Sequence, residues 1–410
     1  MLTTLWKLAA GLVCGLSLPL FADLAIVLLG NAVATLRRPP RGVANRQWNG
    51  LLGVVIPAHN EAKMIARTVK SVETSADAAV QGCDGSRRAV MTVVAHNCTD
   101  GTVESAREAG AEVVELRDDG RDGKSAALRA GFAHARGFGC DAIAVIDADS
   151  MVNLNFVAAM ESALASGSEV LQCRYEQTAC DGVPVSDGQR MRMLAFRGMN
   201  VVRGRGRAAL GWSSGIFGNG FVLRLALLER VPYEARSIAE DLEYHAELVA
   251  QGGLVRWVDA ARVTAALADT KAAQDSQETR WEGGRLRVAR TAGPRLLGAA
   301  LRGNLRAGEA LLAVLSLPFS LGVAMALVSV ALPVVWSREY GLVCIGISAL
   351  YVAAAAQMGE EPAREWRALR AAPALALRKL MLVPRIVAQA GRRAVWVRTG
   401  RESADEGKKE

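Results

Sequence analysis

The chain has 410 residues, of which 51% are hydrophobic, and it carries a formal net charge of +8. This length has room for a full catalytic domain and additional segments. Most of the positive charge is Arg beside apolar blocks, which favours phosphates or anionic lipid head groups as partners. The sequence shows no zinc-finger spacing and no basic patch interleaved with aromatic residues, so nucleic acid is not an expected partner. Seven Cys without a CxxC pair indicate buried free thiols in a reducing compartment.

Residues 8–36 form an apolar segment that few polar residues interrupt. It is long enough to cross a bilayer with some tilt. A cleaved signal peptide is the alternative, but the apolar run continues past a conceivable cleavage site near Ala22 and ends at Arg37, as a stop-transfer segment does. We therefore predict a transmembrane segment over residues 1–36. The basic residues at its end predict a cytoplasmic location for the next part of the chain; they are Arg37, Arg38, Arg41 and Arg46.

Between residues 51 and 174, short apolar runs alternate with helical stretches. The predicted strands are 51–56, 89–95, 112–116, 141–146 and 169–174, and the predicted helices are 61–75, 100–109, 123–136 and 154–165. This alternation predicts an α/β fold with βαβ units and a mostly parallel sheet. Ligands of such sheets bind at the carboxyl ends of the strands. Four of these ends carry polar clusters, at residues 57–61, 96–100, 117–124 and 147–149.

Asp147 and Asp149 follow the apolar run 142–146 directly. Alternation along an extended chain places both carboxylates on one side and Ala148 on the other. Two adjacent carboxylates repel each other unless a cation lies between them, and a hard divalent ion that also binds substrate phosphates meets this need. The alternative is a solvated turn at the end of a strand.

Three later segments carry weaker signals. A polar turn at 182–188 precedes a basic helix predicted over 189–205. Residues 215–221 are rich in Gly, which either lets the backbone approach a ligand closely or forms an ordinary turn. Glu240 and Asp241 open a helix, where they fit either a catalytic role or charge complementarity with the helix N-terminus.

The C-terminal third contains further apolar segments. Residues 291–306 mix Leu and Arg at helical spacing, which predicts an interfacial helix over 291–309. Two apolar spans, 310–335 and 341–358, predict a membrane hairpin over 310–358, with buried soluble helices as the alternative. Residues 361–410 are predicted to form basic interfacial helices and a cytoplasmic tail whose last part, 401–410, is disordered.

Seven short motifs follow one another through the soluble part of the chain. They are Val55-Ile-Pro-Ala-His-Asn-Glu61, Asn97-Cys-Thr-Asp100, Asp122-Gly-Lys-Ser125, Asp147-Ala-Asp149, Gly218-Asn-Gly220, Glu240-Asp241 and Gln277-Glu-Thr-Arg280-Trp281. Their order, with apolar spans on both sides, resembles a membrane-bound family 2 glycosyltransferase with the GT-A fold, a Rossmann-like arrangement. The last motif has the Q-x-x-R-W form of polysaccharide synthases and lipid-acceptor transferases. The resemblance covers about residues 50–290, and we assign 47–290 to this catalytic domain.

The resemblance implies a role for each motif. Asp241, with Glu240 beside it, is expected to be the general base that takes a proton from the acceptor hydroxyl. Asp149 and Asp147 are expected to hold Mg²⁺ or Mn²⁺ against the diphosphate. The other expected donor-binding residues are Pro57, Glu61, Asp100, Lys124, Gln277 and Arg280. The expected acceptor-binding residues are Gly218, Asn219, Gly220 and Trp281.

The chain departs from the family pattern at two motifs. His96 stands where relatives commonly carry an acid that recognises the nucleoside, which makes a preference for uridine less secure. Glu278 and Thr279 stand where many relatives have another basic residue. About three membrane spans are fewer than long-polymer synthases with their own export channel usually have. This favours transfer to a lipid-linked acceptor, or a synthase that needs partner subunits.

The sequence therefore predicts an inverting, metal-dependent glycosyltransferase of class EC 2.4 in the cytoplasmic (inner) membrane, with its catalytic domain in the cytoplasm. A UDP-sugar is the expected donor, and a lipid, a lipid-linked saccharide or a polysaccharide is the expected acceptor. Three alternatives remain open: a processive exopolysaccharide synthase, a catalytically inactive scaffold that binds nucleotide-sugar, and an unrelated nucleotidyltransferase on a similar sheet. The predicted glycosyltransferase is also compatible with pathway partner subunits.

Overall fold

The structure, a computed structural model, describes residues 2–37, 48–80, 89–120, 122–179, 184–268 and 270–390. Its strands are β1 (Leu52–Ala58), β2 (Ala89–His96), β3 (Glu112–Leu116), β4 (Ala142–Val145), β5 (Ser150–Val152), β6 (Val170–Thr178), β7 (Phe221–Arg224) and β8 (Val255–Ala266). Its first nine helices are α1 (Leu2–Leu36), α2 (Ile65–Val80), α3 (Thr102–Glu108), α4 (Gly123–Gly137), α5 (Phe156–Ala165), α6 (Asp187–Arg197), α7 (Arg203–Ala209), α8 (Leu225–Arg230) and α9 (Glu240–Ala250). The remaining helices are α10 (Lys271–Leu301), α11 (Leu305–Leu315), α12 (Phe319–Ala331), α13 (Val335–Gln357), α14 (Pro362–Ala368) and α15 (Ala372–Ala390). A π-helical turn, Gly198–Val202, joins α6 to α7, and a 3₁₀ turn, Leu369–Ala371, joins α14 to α15.

The strands form one sheet in the order β3-β2-β1-β4-β7-β6-β8-β5. The pairs β1–β2, β1–β4, β2–β3 and β6–β8 are parallel, and β4–β7, β6–β7 and β5–β8 are antiparallel. The five predicted strands are therefore present and their mutual pairs are parallel. The three strands that we did not predict, β5, β7 and β8, introduce the antiparallel pairs.

Both faces of the sheet are covered at its centre, which explains why β1, β2 and β4 are largely apolar. In β1, Val54 and Ile56 face a core that includes Phe156 of α5. Val55 faces the opposite core, which includes Leu128 of α4 and Leu248 of α9. The carboxyl ends of the central strands emerge between these two layers.

Helix α1 is one continuous helix, and it begins six residues before the predicted apolar segment. Its C-terminal half packs closely on α7 of the catalytic domain. A Cβ added at Gly30 would lie 1.9 Å from the Gly206 carbonyl oxygen, so the two backbones touch. Asp23, in the middle of α1, forms ion pairs with Arg203 and Arg207. The helix is thus attached to the catalytic domain by packing and by charge.

The interfacial helix predicted over 291–309 is not a separate element. Residues 291–301 are the C-terminal part of α10, which starts at Lys271, so the predicted domain boundary at residue 290 falls inside one helix. The chain turns at 302–304 instead, where Gly303 has a φ of +94°. Asn304 then caps α11 by accepting a hydrogen bond from the Ala307 amide at 3.2 Å.

The predicted hairpin is present with different boundaries. Its first limb is bent by 80° between α11 and α12. The second turn lies at residues 332–334, so the predicted linker 336–340 belongs to α13. Gly322 of α12 packs on Leu20 of α1, and Gly341 of α13 packs on α12. With 13 residues, α12 is about 20 Å long.

Two of the described helices, α1 and α13, are long and apolar enough to cross a membrane, or three spans result if the bent pair α11–α12 counts as one. Helix α15 returns to the catalytic domain, where Arg378 donates to the Lys271 carbonyl of α10 at 2.9 Å. Some predicted features lie outside the described residues. They are Arg38, Arg41 and Arg46, part of the turn at 182–188, and the tail from residue 391.

Candidate active site at the carboxyl edge of the sheet

The Asp147-Ala148-Asp149 segment follows β4 and is fixed by its neighbours. The Asn219 side-chain oxygen accepts a hydrogen bond from the Asp147 amide at 3.1 Å. Thr68 of α2 donates to the Ala148 carbonyl at 2.8 Å. Ala148 is buried, whereas both carboxylates are partly exposed, which agrees with the alternation expected from the sequence. The segment therefore presents two carboxylates from a rigid backbone.

Lys124 lies at the start of α4 and reaches into the same space. Its ammonium donates to Asp147 Oδ1 at 2.5 Å and to the Gly218 carbonyl at 2.7 Å. It also lies 3.8 Å from Glu240 Oε1. Burial alone would lower the pKa of this amine, but the charges of Asp147 and Glu240 raise it above its ordinary value. Lys124 is therefore a permanent cation that joins three elements of the site.

The loop that contains Gly218 and Gly220 needs glycine. Both residues have positive φ values, +74° and +69°. A Cβ at Gly220 would meet Cys173 Sγ at 2.1 Å, and one at Gly218 would meet Asp241 Oδ2 at 3.1 Å. Gln172 of β6 fixes the loop, since its amide donates to the Asn219 carbonyl at 2.9 Å. These glycines let the Asp241 carboxylate approach the backbone.

Glu240 and Asp241 stand in the first turn of α9 and share a buried position beside Lys124. Burial raises the pKa of Glu240 to about 7; Lys124 opposes this rise and Asp241 adds to it. Burial also raises the pKa of Asp241, while the Leu242 amide and Lys124 oppose this rise. The pair therefore holds a proton more tightly than ordinary carboxyl groups do, which suits a group that exchanges protons near neutral pH.

Helix α10 presents Gln277, Arg280 and Trp281 along one side. Burial lowers the pKa of Arg280, while the charges of Glu240 and Asp147 oppose that change. The Trp281 ring is 42% exposed, and its centroid lies 5.8 Å from that of Phe196 on α6. The flat face of this ring is thus available to a second molecule.

One cavity of about 930 Å³ connects these groups. It is lined by eleven of the fourteen predicted site residues: Pro57, Glu61, Lys124, Asp147, Asp149, Gly218, Glu240, Asp241, Gln277, Arg280 and Trp281. These residues come from six separate stretches of the sequence, so their convergence on one cavity is a property of the fold.

Asp100, Asn219 and Gly220 lie outside the cavity lining. Asp100 is at the surface. Its Oδ2 accepts from the Ala62 amide at 3.2 Å, and its Oδ1 accepts from the Thr102 amide at 3.1 Å. It therefore orders the start of α3 and the turn after β1, while Asn219 and Gly220 support the cavity wall from behind.

His96 is buried, and a carboxylate lies beside it. His96 Nε2 is 2.7 Å from Asp118 Oδ1, beyond the end of β3. The hydrogen bond from His96, aided by the Gly120 amide, holds the pKa of Asp118 below its ordinary value against a small opposing effect of burial. The acid missing from the motif after β2 is thus present nearby in space. No sequence feature indicated this pairing, because residues 96 and 118 belong to different strand ends.

The cavity continues between the apolar helices. The sequence motifs did not predict this continuation. Leu20 and Leu24 of α1 line this inner part together with Phe319 of α12. Arg203 and Arg207 also line it. One available signal was Asp23, an acid inside an apolar helix, because such residues require a buried partner.

The two acids of the D-x-D segment suit a hard divalent cation. Within the described parts of the chain there is no group of three or more His, Cys, Asp or Glu side chains placed to hold a metal ion. Such an ion can bind through one or two carboxylates and take its remaining ligands from water and substrate phosphates. Asp147, Asp149, Glu240 and Asp241 lie together at the sheet edge of the cavity, and Lys124 and Arg280 line the same part. The residues present therefore fit a cation that arrives with an anionic substrate.

Comparison with known proteins agrees with the resemblance to glycosyltransferases that the motifs indicate. The chain matches the family model of glycosyl transferase family 2 over residues 53–226 and that of glycosyl transferase family group 2 over residues 142–356, more than half of the chain. A search of curated proteins by sequence found no match.

Among solved structures, the mannosyltransferase PcManGT from Pyrobaculum calidifontis, in complex with GDP-Man and Mn²⁺, is similar to this chain. It is 19% identical, the match covers 92% of this chain and 97% of that chain, and the TM-score is 0.53. Glucosyl-3-phosphoglycerate synthase from Mycobacterium tuberculosis gives 18% identity, coverage of 64% and 84%, and a TM-score of 0.40. S. aureus TarS gives 15% identity, coverage of 83% and 55%, and a TM-score of 0.40. The similarity to PcManGT confirms the predicted GT-A fold.

The match over more than half of the chain, with this fold and these motifs, identifies the protein as an enzyme of the family 2 glycosyltransferases, which use nucleotide-sugar donors.

Proposed function

We propose that this enzyme transfers a sugar from a nucleotide-sugar to a hydroxyl group of a lipid or lipid-linked saccharide at the cytoplasmic face of the inner membrane. One observation carries the proposal: the cavity that contains the catalytic carboxylates continues between apolar helices. A soluble acceptor does not require apolar walls, whereas a lipid does. Two helices that are long and apolar enough to cross a membrane support a position of this cavity beside the bilayer.

The donor binds at the sheet edge of the cavity in this proposal. Pro57 and Glu61 are at the end that faces the nucleoside, and Lys124, Gln277 and Arg280 bind the diphosphate. The charge of Lys124 supports this role, because a buried cation attracts phosphate strongly. We propose a UDP-sugar, since Asp118 supplies a carboxylate that replaces the acid absent at position 96. PcManGT was solved with GDP-Man, so a guanine nucleotide is the comparison donor in the test.

Asp149 and Asp147 are proposed to hold Mg²⁺ or Mn²⁺. When bound, the ion neutralises the charge that develops on the leaving nucleoside diphosphate. Lys124 adds a fixed positive charge on the same side, since it contacts Asp147 directly. PcManGT and the mycobacterial synthase contain Mn²⁺, which supports the same choice of ion.

Asp241 is proposed as the general base, with Glu240 as its coupled neighbour. The Asp241 carboxylate takes the proton of the acceptor hydroxyl while that oxygen attacks the anomeric carbon. The nucleoside diphosphate leaves from the opposite side, and a single displacement inverts the configuration. Trp281 supports the acceptor through its exposed ring, and Gly218 leaves room for it beside Asp241.

The test uses full-length protein in native-lipid nanodiscs. We would supply UDP-, GDP- and dTDP-sugars with Mg²⁺ or Mn²⁺, measure nucleoside diphosphate release, and analyse the lipid extract by mass spectrometry. The proposal predicts release with one lipid that gains a single sugar mass. A ladder of masses would indicate a processive synthase. Binding of nucleotide-sugar without release would indicate an inactive scaffold, and release of pyrophosphate would indicate a nucleotidyltransferase.

A further inference from the structure

The inner part of the cavity contains three polar side chains from helices α7 and α13: Arg203, Arg207 and Tyr351, here called the inner cluster. Their exposed fractions are 7%, 5% and 6%, and all three line the cavity. The wall around them is otherwise largely apolar and includes Leu24 and Phe319. Polar groups buried in such surroundings require hydrogen-bond partners.

The structure provides partners for only part of this cluster. Arg203 and Arg207 each direct Nη2 to the Asp23 carboxylate, and Arg207 Nε lies 3.4 Å from Glu309 Oε1. Arg203 Nε, Arg207 Nε, the Tyr351 hydroxyl and both carboxylate oxygens of Glu309 have no hydrogen-bond partner among the described residues. Of these residues, Arg203, Arg207 and Tyr351 line the cavity. Attachment of α1 to the domain explains the bonds to Asp23, but it does not explain these unpaired donors. Buried polar groups without partners are rare, and an ion or water that binds them is one explanation.

Arg203, Arg207 and Tyr351 line the same cavity, and so does Arg285, which follows Trp281 by one helical turn on α10. Asp23 pairs with Arg203 and Arg207, Glu309 lies beside Arg207, and Arg285 lies 3.5 Å from Glu282. The remaining guanidinium donors and the Tyr351 hydroxyl are the kind of donor set that recognises phosphate.

The inner cluster lies a short distance beyond the proposed base. His245 follows Asp241 by one turn of α9, about 6 Å along the helix. Burial, and then the charge of Arg207, lower the pKa of His245 to about 3, so His245 is neutral and Arg207 is close to it. The path from the base through His245 to Arg207 is thus polar. Beyond the inner cluster, the lining consists of apolar side chains from α1 and α12.

We propose that the inner cluster binds a phosphate group that links the reactive head of the lipid acceptor to its apolar chain. The head group places its hydroxyl at Asp241, the phosphate lies against Arg203 and Tyr351, and the chain extends between α1 and α12. This inference rests on the proposed function and narrows the acceptor class to anionic lipids. A free phosphate ion has the same recognition chemistry and is separated by the experiment below.

The experiment compares two ligands that differ only in the phosphate. Full-length protein in maltoside detergent is titrated with radiolabelled farnesyl phosphate and with farnesol, and retained ligand is measured at equilibrium. We expect farnesyl phosphate to bind at least about tenfold more tightly, since hydrogen bonds to a charged group exceed those to a neutral one. Equal affinities would overturn the proposal. Displacement of farnesyl phosphate by inorganic phosphate at equal concentration would assign the cluster to a free anion and would also overturn it.

Two variants test whether the inner cluster causes the difference in affinity between farnesyl phosphate and farnesol. Tyr351→Phe removes one hydroxyl and retains the ring, so we expect it to fold and to lose about tenfold of the affinity for farnesyl phosphate, with farnesol binding unchanged. Arg203→Met is expected to lose more. Arg205→Gln is the matched control, because Arg205 lies on the same helix outside the cavity lining. Unchanged affinity in both Tyr351→Phe and Arg203→Met would contradict the assignment.

Nucleoside diphosphate release on the same preparations separates the two proposals. Equal transfer to a neutral lipid and to its phosphate-linked counterpart would retain the transferase and reject the phosphate subsite. Phosphate-selective binding without release from any donor would retain the subsite and reject the proposed function.

Discussion

At the scale of single residues, Lys124 strongly influences the charge of the proposed donor site. It contacts Asp147 and lies close to Glu240, so it stabilises both carboxylates in their charged form. Without it, the buried acids would repel each other more strongly and would keep their protons to higher pH. The same ammonium also donates to the Gly218 carbonyl, which joins the proposed donor site to the loop with the proposed acceptor residue Gly218.

The pH dependence of the reaction follows from this arrangement. An acid with a raised pKa keeps its proton below that pKa and loses it above, so a base in the Glu240–Asp241 pair becomes active as the pH rises through about 7. We expect kcat to increase between pH 6 and pH 8. Lys124→Met should move this acid limb upward by about one pH unit, because it removes the nearby positive charge. Lys70→Met, on the exposed surface of α2, is the control, and a pH profile identical in all three proteins would contradict the argument.

The assignment of the base predicts different results for two acids of α9. Asp241→Asn should lower kcat by about 10²–10⁴ and leave nucleotide-sugar affinity nearly unchanged, since the D-x-D carboxylates remain. Glu247→Gln lies on the same helix, where its partners are Gln251 and Arg295 at the surface, and should have near-normal kcat. Steady-state kinetics together with donor-binding titration distinguish these effects. Normal turnover by Asp241→Asn would show that another group removes the proton.

At the scale of elements, α10 connects residues of the candidate active site to the helices outside the sheet. Its first half carries the Q-x-x-R-W residues, and α15 packs along it through Arg378, which reaches the Lys271 carbonyl, Gln274 and Asp275. Lys379 of α15 lies 3.5 Å from Glu278. Helix α15 also contributes Leu382 and Ile386 to the cavity wall. Thus α15 acts as a side wall for the acceptor part of the cavity.

Loss of the Arg378 contacts should therefore affect the acceptor more than the donor. We expect Arg378→Ala to raise the acceptor KM about tenfold, because several hydrogen bonds that position α15 are lost, with donor affinity unchanged. Arg385→Ala changes an exposed Arg on the same helix and serves as the control. The measurement is initial-rate kinetics with each substrate varied in turn. An equal increase of both KM values would indicate a general loss of structure.

The contact between α1 and α7 makes a prediction about stability. Gly30→Val places methyl groups where a Cβ alone would lie 1.9 Å from the Gly206 carbonyl oxygen. Such overpacking typically lowers the free energy of unfolding by about 1–3 kcal/mol. Gly15→Val is the matched control, since a Cβ there has no atom within 4 Å. Thermal unfolding in nanodiscs should show a lower Tm for Gly30→Val alone, and equal Tm values would argue against a tight α1–α7 contact.

The elements that the sequence predicted well are those with a local signal. The strands β1, β2 and β4 are largely apolar because both faces are covered, and their carboxyl ends carry polar motifs. The strands β3 and β6 contain shorter apolar runs beside polar residues. The short strand β7 and the bulged strand β8 lack such a pattern, and they became recognisable only through pairing with β4 and β6. The division of the C-terminal helices was also wrong, because helical spacing of Leu and Arg continues through the predicted boundary at residue 290.

For the candidate site, too, the sequence predicted only residues that carry a local signal. Motif order predicted eleven residues that line the cavity, since each motif marks a strand end or a helix start. It did not predict the His96–Asp118 pair or the inner cluster, because these depend on distances between segments far apart in sequence. The donor-binding role of Asp100 stays a prediction. The residue belongs to a recognisable motif, and its carboxylate accepts hydrogen bonds from two backbone amides.

At the scale of the whole molecule, buried ion pairs join the catalytic domain to the helices that surround its inner cavity. Arg197 of α6 contacts Glu176 of β6 and Glu365 of α14, and it donates to the Ala355 carbonyl of α13 at 3.1 Å. Arg174 of β6 donates to the Met358 carbonyl at 2.8 Å, just past the end of α13. Removal of one partner from such a network leaves a buried charge unpaired, which is strongly destabilising. The apolar helices and the sheet therefore form one cooperative structure.

The attachment of α1 has a consequence for the biogenesis of the enzyme. Leu20 and Leu24 form part of the cavity wall, and Asp23 neutralises two Arg side chains of the catalytic domain. A chain in which α1 is not yet packed on the catalytic domain lacks part of the cavity wall and leaves these two cations without their shared acid. For the membrane-bound enzyme proposed above, we therefore expect sugar transfer to begin only after α1 has been inserted and has packed on the domain.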